Sequence, residues 1–121
     1  MLKSKKNFGN FGEKIAAQYL RAKGYEILDH NFYIQGGEID LICNDQEKNE
    51  IVFVEVKTRR NNTFGDPIDS ISEWKIQKLT LAGEIYLQKH GFEEDNYRFD
   101  FIGIEFNNEN FDIEHVKNML L

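Results

Sequence analysis

The sequence predicts an α/β domain in which a central mixed β-sheet is flanked by helices. Two segments place apolar residues at helical spacing, and several others are short runs of β-branched and aromatic residues that are typical of strands. Their order is one helix, three strands, a second helix and one or two strands, which favours a mixed sheet with a helix packed on its face. The 121 residues suffice for one domain and are too few for two, so we expect a single domain over residues 1–121.

The first predicted element is a helix over residues 9–23, and two strands follow it. The apolar residues of this helix lie on one face: Phe8, Phe11, Ile15, Tyr19 and Leu20. Gly24 can end the helix as a C-cap. Residues 25–34 then predict a strand, Gly36 and Gly37 a turn, and residues 38–44 a second strand.

The second half begins with the clearest strand of the chain, residues 51–58, which read IVFVEVKT. Residues 59–70 predict a polar loop. Ser72 can cap a helix that runs to about His90, where Gly91 stops it. The expected inward face of this helix consists of Ile76, Leu79, Ala82, Gly83 and Tyr86. Strands are predicted over residues 97–106 and 111–116.

The distribution of charge bears on partners. The net charge of −6 argues against nucleic acid, but residues 91–121 supply all of it, with 2 basic and 8 acidic side chains. Residues 1–90 balance 13 basic against 13 acidic side chains. Phosphates could therefore be bound by basic clusters: Lys3, Lys5 and Lys6; Lys57, Arg59 and Arg60; Lys75 and Lys78. The alternative is an ordinary solvated surface.

Cysteine content and hydropathy indicate the cellular compartment that we expect for the chain. Cys43 is the only cysteine, so neither an intramolecular disulfide nor a cysteine-rich zinc site is expected. We expect it to be a small buried hydrophobe. The basic N-terminus has no apolar segment behind it, and no apolar run approaches the roughly 20 residues that span a bilayer. The sequence therefore predicts a cytoplasmic protein without a membrane partner.

An acidic and a basic side chain emerge from the strand over residues 51–58. Side chains alternate between the faces of a strand, so Val52, Val54 and Val56 form one face, and Glu55 and Lys57 lie on the other with Ile51 and Phe53. A charge that is buried in such an apolar strand costs several kcal/mol unless it is paired or binds a metal. This face therefore requires a compensating group.

A hairpin between residues 38–44 and 51–58 would supply a second carboxylate. Symmetric pairing about Glu47 and Lys48 places Asp40 opposite Glu55, and Glu38 opposite Lys57. Opposed Cβ atoms are roughly 5 Å apart, so two carboxylates there would repel each other unless a hard cation such as Mg²⁺ or Mn²⁺ lay between them. The open alternatives are a plain Glu38–Lys57 salt bridge with Asp40 at a solvated strand end, or a one-residue register slip that moves Asp40 to the other face.

Three linked motifs resemble the bacterial YraN-like family: GGEIDLI at residues 36–42, IVFVEVKTRR at 51–60 and FGDPIDSISEWK at 64–75. Its members are grouped with the PD-(D/E)xK nucleases and are similar to Holliday-junction resolvases. The resemblance implies a restriction-endonuclease-like fold. It also implies that Asp40 and Glu55 are metal ligands, that Lys57 is the catalytic lysine and that Glu13 completes the metal site. The alternative for Glu13 is that it only stabilises the N-terminus of the first helix through the macrodipole. The proline of the "PD" motif is absent, because Ile39 precedes Asp40.

Other residues have predicted roles outside this centre. Arg59, Arg60, Lys75 and Lys78 are the candidates for phosphate contacts. Trp74 is expected in the core rather than as a surface on which bases stack, and Asp100 is expected to be structural. The three histidines show no metal-ligand spacing and are expected to be surface or core residues: His30, His90 and His115.

The leading hypothesis is a metal-dependent endonuclease that hydrolyses DNA phosphodiesters, with branched DNA as one candidate substrate. The alternatives are a non-enzymatic nucleic-acid-binding module on the same fold and a protein-recruiting subunit of a larger complex. Cleavage of two strands of branched DNA would suit a homodimer, although no residues identify a dimer face.

Overall fold

The sheet of this protein has five strands and carries one helix on each face. The description comes from a computed structural model and covers residues 5–60, 65–92 and 96–120. The elements are α1 (Lys5–Ala22), β1 (Tyr25–Ile34), β2 (Gly37–Asp45), β3 (Glu50–Arg60), a short 3₁₀ helix (Pro67–Ser70), α2 (Glu73–His90), β4 (Tyr97–Asn107) and β5 (Asn110–Val116). The predicted α/β class and mixed sheet are therefore confirmed.

The strands lie in the order β1-β2-β3-β4-β5. Three neighbouring pairs are antiparallel, and β3 pairs with β4 in parallel. A parallel connection needs a crossover, which the 3₁₀ helix and α2 provide between β3 and β4. The strand with the predicted chemistry, β3, therefore lies at the centre of the sheet.

Each face of the sheet has its own apolar core. The core beneath α1 contains Ile15 and Leu20 of the helix with Val52 and Val54 of β3. The core beneath α2 contains Leu79 and Tyr86 with the opposite side of β3, including Ile51 and Phe53. The alternation predicted for β3 is thus confirmed, and its odd-numbered residues face α2. Cys43 is fully buried in the α1 core, as expected.

The ends of α2 follow the predicted capping chemistry. Ser72 Oγ accepts a hydrogen bond from the backbone N–H of Lys75 over 3.1 Å. Gly91 closes the helix with φ of 71°, a left-handed conformation that glycine adopts without steric cost. This cap fixes the first turn of α2, which proves to lie beside the candidate site.

Two boundaries differ from the prediction by more than one residue. The first helix begins at Lys5 rather than residue 9. The segment 59–60 was expected in a loop but continues β3, because Arg59 and Arg60 pair in parallel with Glu105 and Phe106 of β4. Pairing with a neighbouring strand overrides the polar composition that favoured a loop.

A buried ionic network lies at the other end of the sheet from Asp40. Arg98 bonds to Asp45 at 3.0 Å, Glu50 at 2.6 Å and Asp100 at 3.0 Å. Asp100 is fully buried and also lies 2.8 Å from His115 Nε2. Burial acts to raise the pKa of Asp100, but hydrogen bonds from His115 and Arg98 outweigh it and hold the pKa below its usual value. Asp100 is thus structural, as expected.

Among the described residues, no helix is long and apolar enough to cross a membrane.

Candidate metal centre

The candidate centre lies where β2 and β3 separate. Their antiparallel pairing has the predicted register and ends at Leu41 and Val54, one step before Asp40 and Glu55. Beyond that point, Asp40 Oδ2 accepts the backbone N–H of Val56 over 2.8 Å. A side-chain oxygen thus takes the donor that a strand carbonyl would otherwise accept, which holds the Asp40 carboxyl group in the gap between the two strands.

The separation of the strands corrects one predicted pair. Glu38 was expected opposite Lys57, but it pairs with Tyr33 of β1 instead. No ion pair joins Glu38 to Lys57 within the described ranges. Lys57 is exposed at the end of β3, two residues beyond Glu55 on the same face.

Asp40 and Glu55 are both buried, with 7% and 8% of their surface exposed. Burial raises the pKa of Asp40, and the neighbouring Glu55 carboxylate raises it further. Burial also raises the pKa of Glu55, although the positive charge of Lys75 opposes this effect. Glu55 Oε1 is buried and has no hydrogen-bond partner among the described residues. Glu55 thus keeps one buried oxygen without a partner among the described residues, and the raised pKa of Asp40 favours its neutral form.

Lys75 is the cation that contacts this pair. Its Nζ lies 3.4 Å from Glu55 Oε2, and it extends from the first turn of α2, which the Ser72 cap fixes. Lys75 was predicted as a phosphate contact, and in this conformation it neutralises a buried carboxylate. The sequence could not show this, because α2 and β3 meet only in the tertiary structure.

Glu13 approaches the centre from α1 and is bridged to Glu38 by Asn31. With the Asn31 amide nitrogen directed at the carboxylates, it donates to Glu13 over 3.1 Å and to Glu38 over 3.3 Å. Burial raises the pKa of Glu13 to about 7, with further contributions from Asp40 and Glu38. Three acidic residues from α1 and β2 thus share one electrostatic environment.

Asn31 is a site residue that sequence reasoning missed. Its φ is 52°, in the left-handed region that a residue with a side chain rarely adopts but asparagine tolerates. Such strain is often held at functional sites. The alternation of apolar residues along β1 does not indicate a role for Asn31. The one feature of the sequence that could have drawn attention to it is an asparagine next to aromatic residues in a strand.

The donor set partly fits a divalent cation. Asp40 and Glu55 offer oxygen ligands, and the unpartnered Glu55 Oε1 suits a hard cation such as Mg²⁺, which keeps several waters. However, no group of three or more histidine, cysteine, aspartate or glutamate side chains in the described ranges is arranged to hold a metal ion. Glu13 is an electrostatic neighbour rather than a third ligand in this conformation, so the fit is that of a two-carboxylate site completed by water.

The predicted phosphate-binding residues have distinct environments. Arg59 forms a salt bridge with Glu105 at 2.9 Å and also donates to the carbonyl of Gly65. Arg60 lies exposed at the end of β3. Lys78 Nζ lies 5.5 Å from the centroid of the Trp74 ring. Lys75 contacts Glu55 of the carboxylate pair.

Trp74 contradicts the expectation that it lies in the core, because 61% of its surface is exposed. The buried face of α2 passes through Leu79 and Tyr86. Leu79 lies five positions after Trp74, so the two side chains point in directions about 140° apart around the helix axis. The apolar periodicity of α2 could have excluded Trp74 from that face.

A groove of about 460 Å³ runs along α1 beside Glu13. Its lining includes the basic side chains of Lys14 and Arg21, together with His30 and Asn31 of β1. Lys14 and Arg21 were not singled out in the sequence, because helical spacing marks them only as solvent-facing.

Comparison with known proteins identifies the family. Residues 12–104 match the model of a family described as "Uncharacterised protein family UPF0102". The chain belongs to the UPF0102 family. The YraN-like resemblance is thereby confirmed at the level of the family, and the matched range contains every residue of the candidate centre.

Three UPF0102 relatives illustrate the likeness. The chain is 45% identical to a UPF0102 protein of Caldanaerobacter subterraneus, over 97% of this chain and 94% of the relative. It is 38% identical to one of Carboxydothermus hydrogenoformans, over 97% and 98% of the two chains. It is also 41% identical to one of Flavobacterium johnsoniae, over 89% of each chain. The chain and these three relatives therefore match over most of their lengths.

Proposed function

We propose that this protein is a metal-dependent endonuclease with a restriction-endonuclease-like fold that hydrolyses DNA phosphodiesters in the cytoplasm. Asp40 and Glu55 would hold Mg²⁺ or Mn²⁺, with Glu13 next to them, and Lys57 would act on the scissile phosphate. The observation that carries the proposal is the buried Asp40–Glu55 pair, in which Glu55 Oε1 has no partner among the described residues.

The energetics of this pair favour a function over a structural role. Each residue is more than nine-tenths buried, and the charge of Glu55 acts to raise the pKa of Asp40. Desolvation of each carboxylate costs several kcal/mol, and the contact of Lys75 with Glu55 still leaves Glu55 Oε1 without a partner among the described residues. The ionic network around Arg98 shows how the same chain satisfies buried carboxylates that serve the fold.

Each residue of the centre would have a different role in hydrolysis. When bound, a divalent cation supplies an electrophile for the phosphate and lowers the pKa of its water. Asp40 is held for that role by the Val56 N–H, and Glu55 by its place on the central strand. Lys57 is exposed on the same face and would place its ammonium group against the charge that grows on the phosphate.

The surface around the centre offers contacts for the DNA backbone. Lys75 and Lys78 on α2 lie on one side, and Lys14 and Arg21 line the groove on the other. Arg60 would contact phosphate at the end of β3. Arg59 belongs to the same proposed surface, but its salt bridge with Glu105 would limit its contribution. Binding through such contacts should weaken as salt increases.

A cleavage screen tests this proposal. Labelled single-stranded, linear duplex and four-way-junction DNA would be incubated with Mg²⁺ or Mn²⁺ and wild-type protein or Lys57→Ala, with Lys89→Ala as a control far along α2. We expect metal-dependent cutting that Lys57→Ala reduces by roughly 10²-fold or more and that Lys89→Ala retains. Absence of cutting on all three DNAs by folded protein would contradict the proposal.

A non-enzymatic nucleic-acid-binding module is the second candidate. The observation in its favour is that the described residues do not bring a third acidic ligand to the Asp40–Glu55 pair. Such a module would bind DNA in a salt-dependent manner without cutting it, and a protein-recruiting module would do neither. Binding measured beside the cleavage screen separates the three functions.

Branched DNA would favour a homodimer in this proposal, because two symmetry-related centres could cut two strands. Sedimentation with and without a four-way junction tests that arrangement.

A further inference from the structure

Two large aromatic side chains flank the candidate centre and are exposed. Trp74 is 61% exposed in the first turn of α2, directly before Lys75, whose Nζ contacts Glu55. Tyr33 is 69% exposed near the end of β1. These are the two largest exposed fractions among the exposed large hydrophobic side chains of the described residues.

The position of Tyr33 relates its ring to the acidic centre. Tyr33 lies opposite Glu38 in the pairing of β1 with β2, and the Glu38 carboxylate raises the pKa of Tyr33. Glu38 is in turn bridged to Glu13 through Asn31. Since the neighbours of Tyr33, Phe32 and Ile34, pack against the α2 core, the Tyr33 ring lies on the opposite face of β1. Tyr33 therefore approaches the centre from the α1 side, and Trp74 from the α2 side.

Trp74 also has a cation beside its ring. Lys78 Nζ lies 5.5 Å from the ring centroid, and the same amine reaches towards the turn at Gly36. An exposed ring with an adjacent ammonium group can hold a base and its phosphate together, because bases stack on aromatic faces while lysine neutralises the backbone. A solitary exposed tryptophan lacks the second of these features.

We infer that Tyr33 and Trp74 are stacking surfaces for unpaired bases, so that the preferred substrate is single-stranded DNA or DNA with locally unpaired nucleotides at the cleavage site. The inference rests on the proposed function and specifies its substrate class. In an intact duplex the base faces are covered by neighbouring pairs, and only unpaired nucleotides can present them to a side chain. One ring on each side of the carboxylate pair would hold the bases on both sides of the scissile phosphate.

Trp74 provides a direct readout, because it is the only tryptophan of the chain. A 20-nucleotide oligo-dT and a 20-base-pair duplex would be titrated in Ca²⁺, a hard cation that takes the same oxygen ligands. Tryptophan fluorescence reports stacking, anisotropy of labelled DNA reports affinity, and a gel of the same samples reports cutting. We expect oligo-dT to quench the fluorescence and to bind more tightly than the duplex.

Variants separate stacking from general binding. Trp74→Leu and Tyr33→Leu should each weaken oligo-dT binding about tenfold and duplex binding by less than twofold. Tyr33→Phe keeps the ring and should bind as wild type does. Phe111→Leu is the matched control, because Phe111 is 44% exposed on β5, at the opposite edge of the sheet from β1.

The outcomes distinguish this inference from the function on which it rests. Quenching and ring-dependent binding by a protein that cuts no DNA in Mg²⁺ would support the stacking surfaces and contradict the endonuclease. Cutting that Trp74→Leu and Tyr33→Leu leave unchanged would support the endonuclease and overturn the stacking surfaces. Oligo-dT binding without any change of Trp74 fluorescence, or no binding of oligo-dT at all, would also overturn them.

Discussion

The backbone N–H of Val56 donates a hydrogen bond to Asp40 Oδ2 over 2.8 Å, at the point where the two strands that carry these residues separate. This bond explains how a carboxyl group stays buried between β2 and β3 although its pKa is raised. This donor is uncharged and offsets the effect of burial only in part, so the pKa of Asp40 stays raised. Backbone geometry thus holds Asp40 at the centre, while Lys75 is the described cation that contacts its partner Glu55.

We predict that the stability of the metal-free protein decreases as the pH rises from 5 to 8. Burial raises the pKa of Asp40, and that of Glu13 to about 7, so these groups keep their protons longer in the folded state than in the unfolded chain. Unfolding then releases protons, and the free energy of unfolding falls between their ordinary values near 4 and their folded values. Thermal unfolding in EDTA at several pH values measures this.

The variant Asp40→Asn should flatten that dependence. Its amide oxygen can still accept the Val56 N–H, whereas the buried charge is gone, so we expect about 1–3 kcal/mol greater stability than wild type at pH 8 and little difference at pH 5. Asp112→Asn, at an exposed position of β5, is the control. An unchanged pH slope in Asp40→Asn would show that Asp40 is not the group that titrates.

We predict that Mg²⁺ or Mn²⁺ raises the unfolding temperature of wild-type protein, and more so at pH 8 than at pH 5. The carboxyl groups must lose their protons to bind a cation, and binding to the folded state alone stabilises it. Glu55→Gln should abolish the effect, while Glu114→Gln on β5 should keep it. Equal stabilisation of wild type and Glu55→Gln would place the binding elsewhere.

Removal of Lys75 should lower the free energy of unfolding, because the buried Glu55 carboxylate loses the cation that contacts it. We expect Lys75→Met to destabilise the metal-free protein by roughly 1 kcal/mol at pH 8, since its 3.4 Å contact with Glu55 is lost. Lys78→Met, one turn further along α2, should be close to neutral. The difference between these variants should shrink when Mg²⁺ is added, because a bound cation would replace Lys75 as the neutralising charge; a constant difference would contradict this account.

The Arg98 network should behave as a structural element. Arg98→Met leaves Asp45 and Asp100 buried without their cation, and we expect a loss of about 3–5 kcal/mol in urea unfolding. Arg59→Met breaks a more exposed pair with Glu105 and should cost about 1 kcal/mol or less. An equal loss of unfolding free energy in the two variants would show that burial does not determine how much these ion pairs contribute to stability.

Much of the fold could be predicted because its signals are local. The faces of β3, the Ser72 cap, the Gly91 stop and the β2–β3 register all follow from alternation, capping chemistry and hairpin symmetry. The predicted register alone placed Asp40 next to Glu55, without knowledge of the tertiary structure. The family resemblance added Glu13, whose place beside Asp40 depends on how α1 packs.

The features that the sequence could not predict depend on contacts between distant segments. Arg59 belongs to a strand because β4 pairs with it, and Lys75 meets Glu55 only when α2 docks on the sheet. Asn31 adopts a left-handed conformation at a position where alternation predicts an ordinary strand residue. Trp74 was assigned to the core on composition, although the helical angle between it and Leu79 already pointed outward.

The measurement that tests the central claim most directly is single-turnover cleavage of the best DNA substrate as the Mg²⁺ concentration is raised. Wild type would be compared with Asp40→Asn, Glu55→Gln and the control Glu114→Gln, all shown to be folded and to bind the DNA. We predict saturable, Mg²⁺-dependent cutting by wild type and the control, and a loss of at least 10²-fold in the other two. Cutting that survives in both Asp40→Asn and Glu55→Gln would contradict a metal centre at these residues.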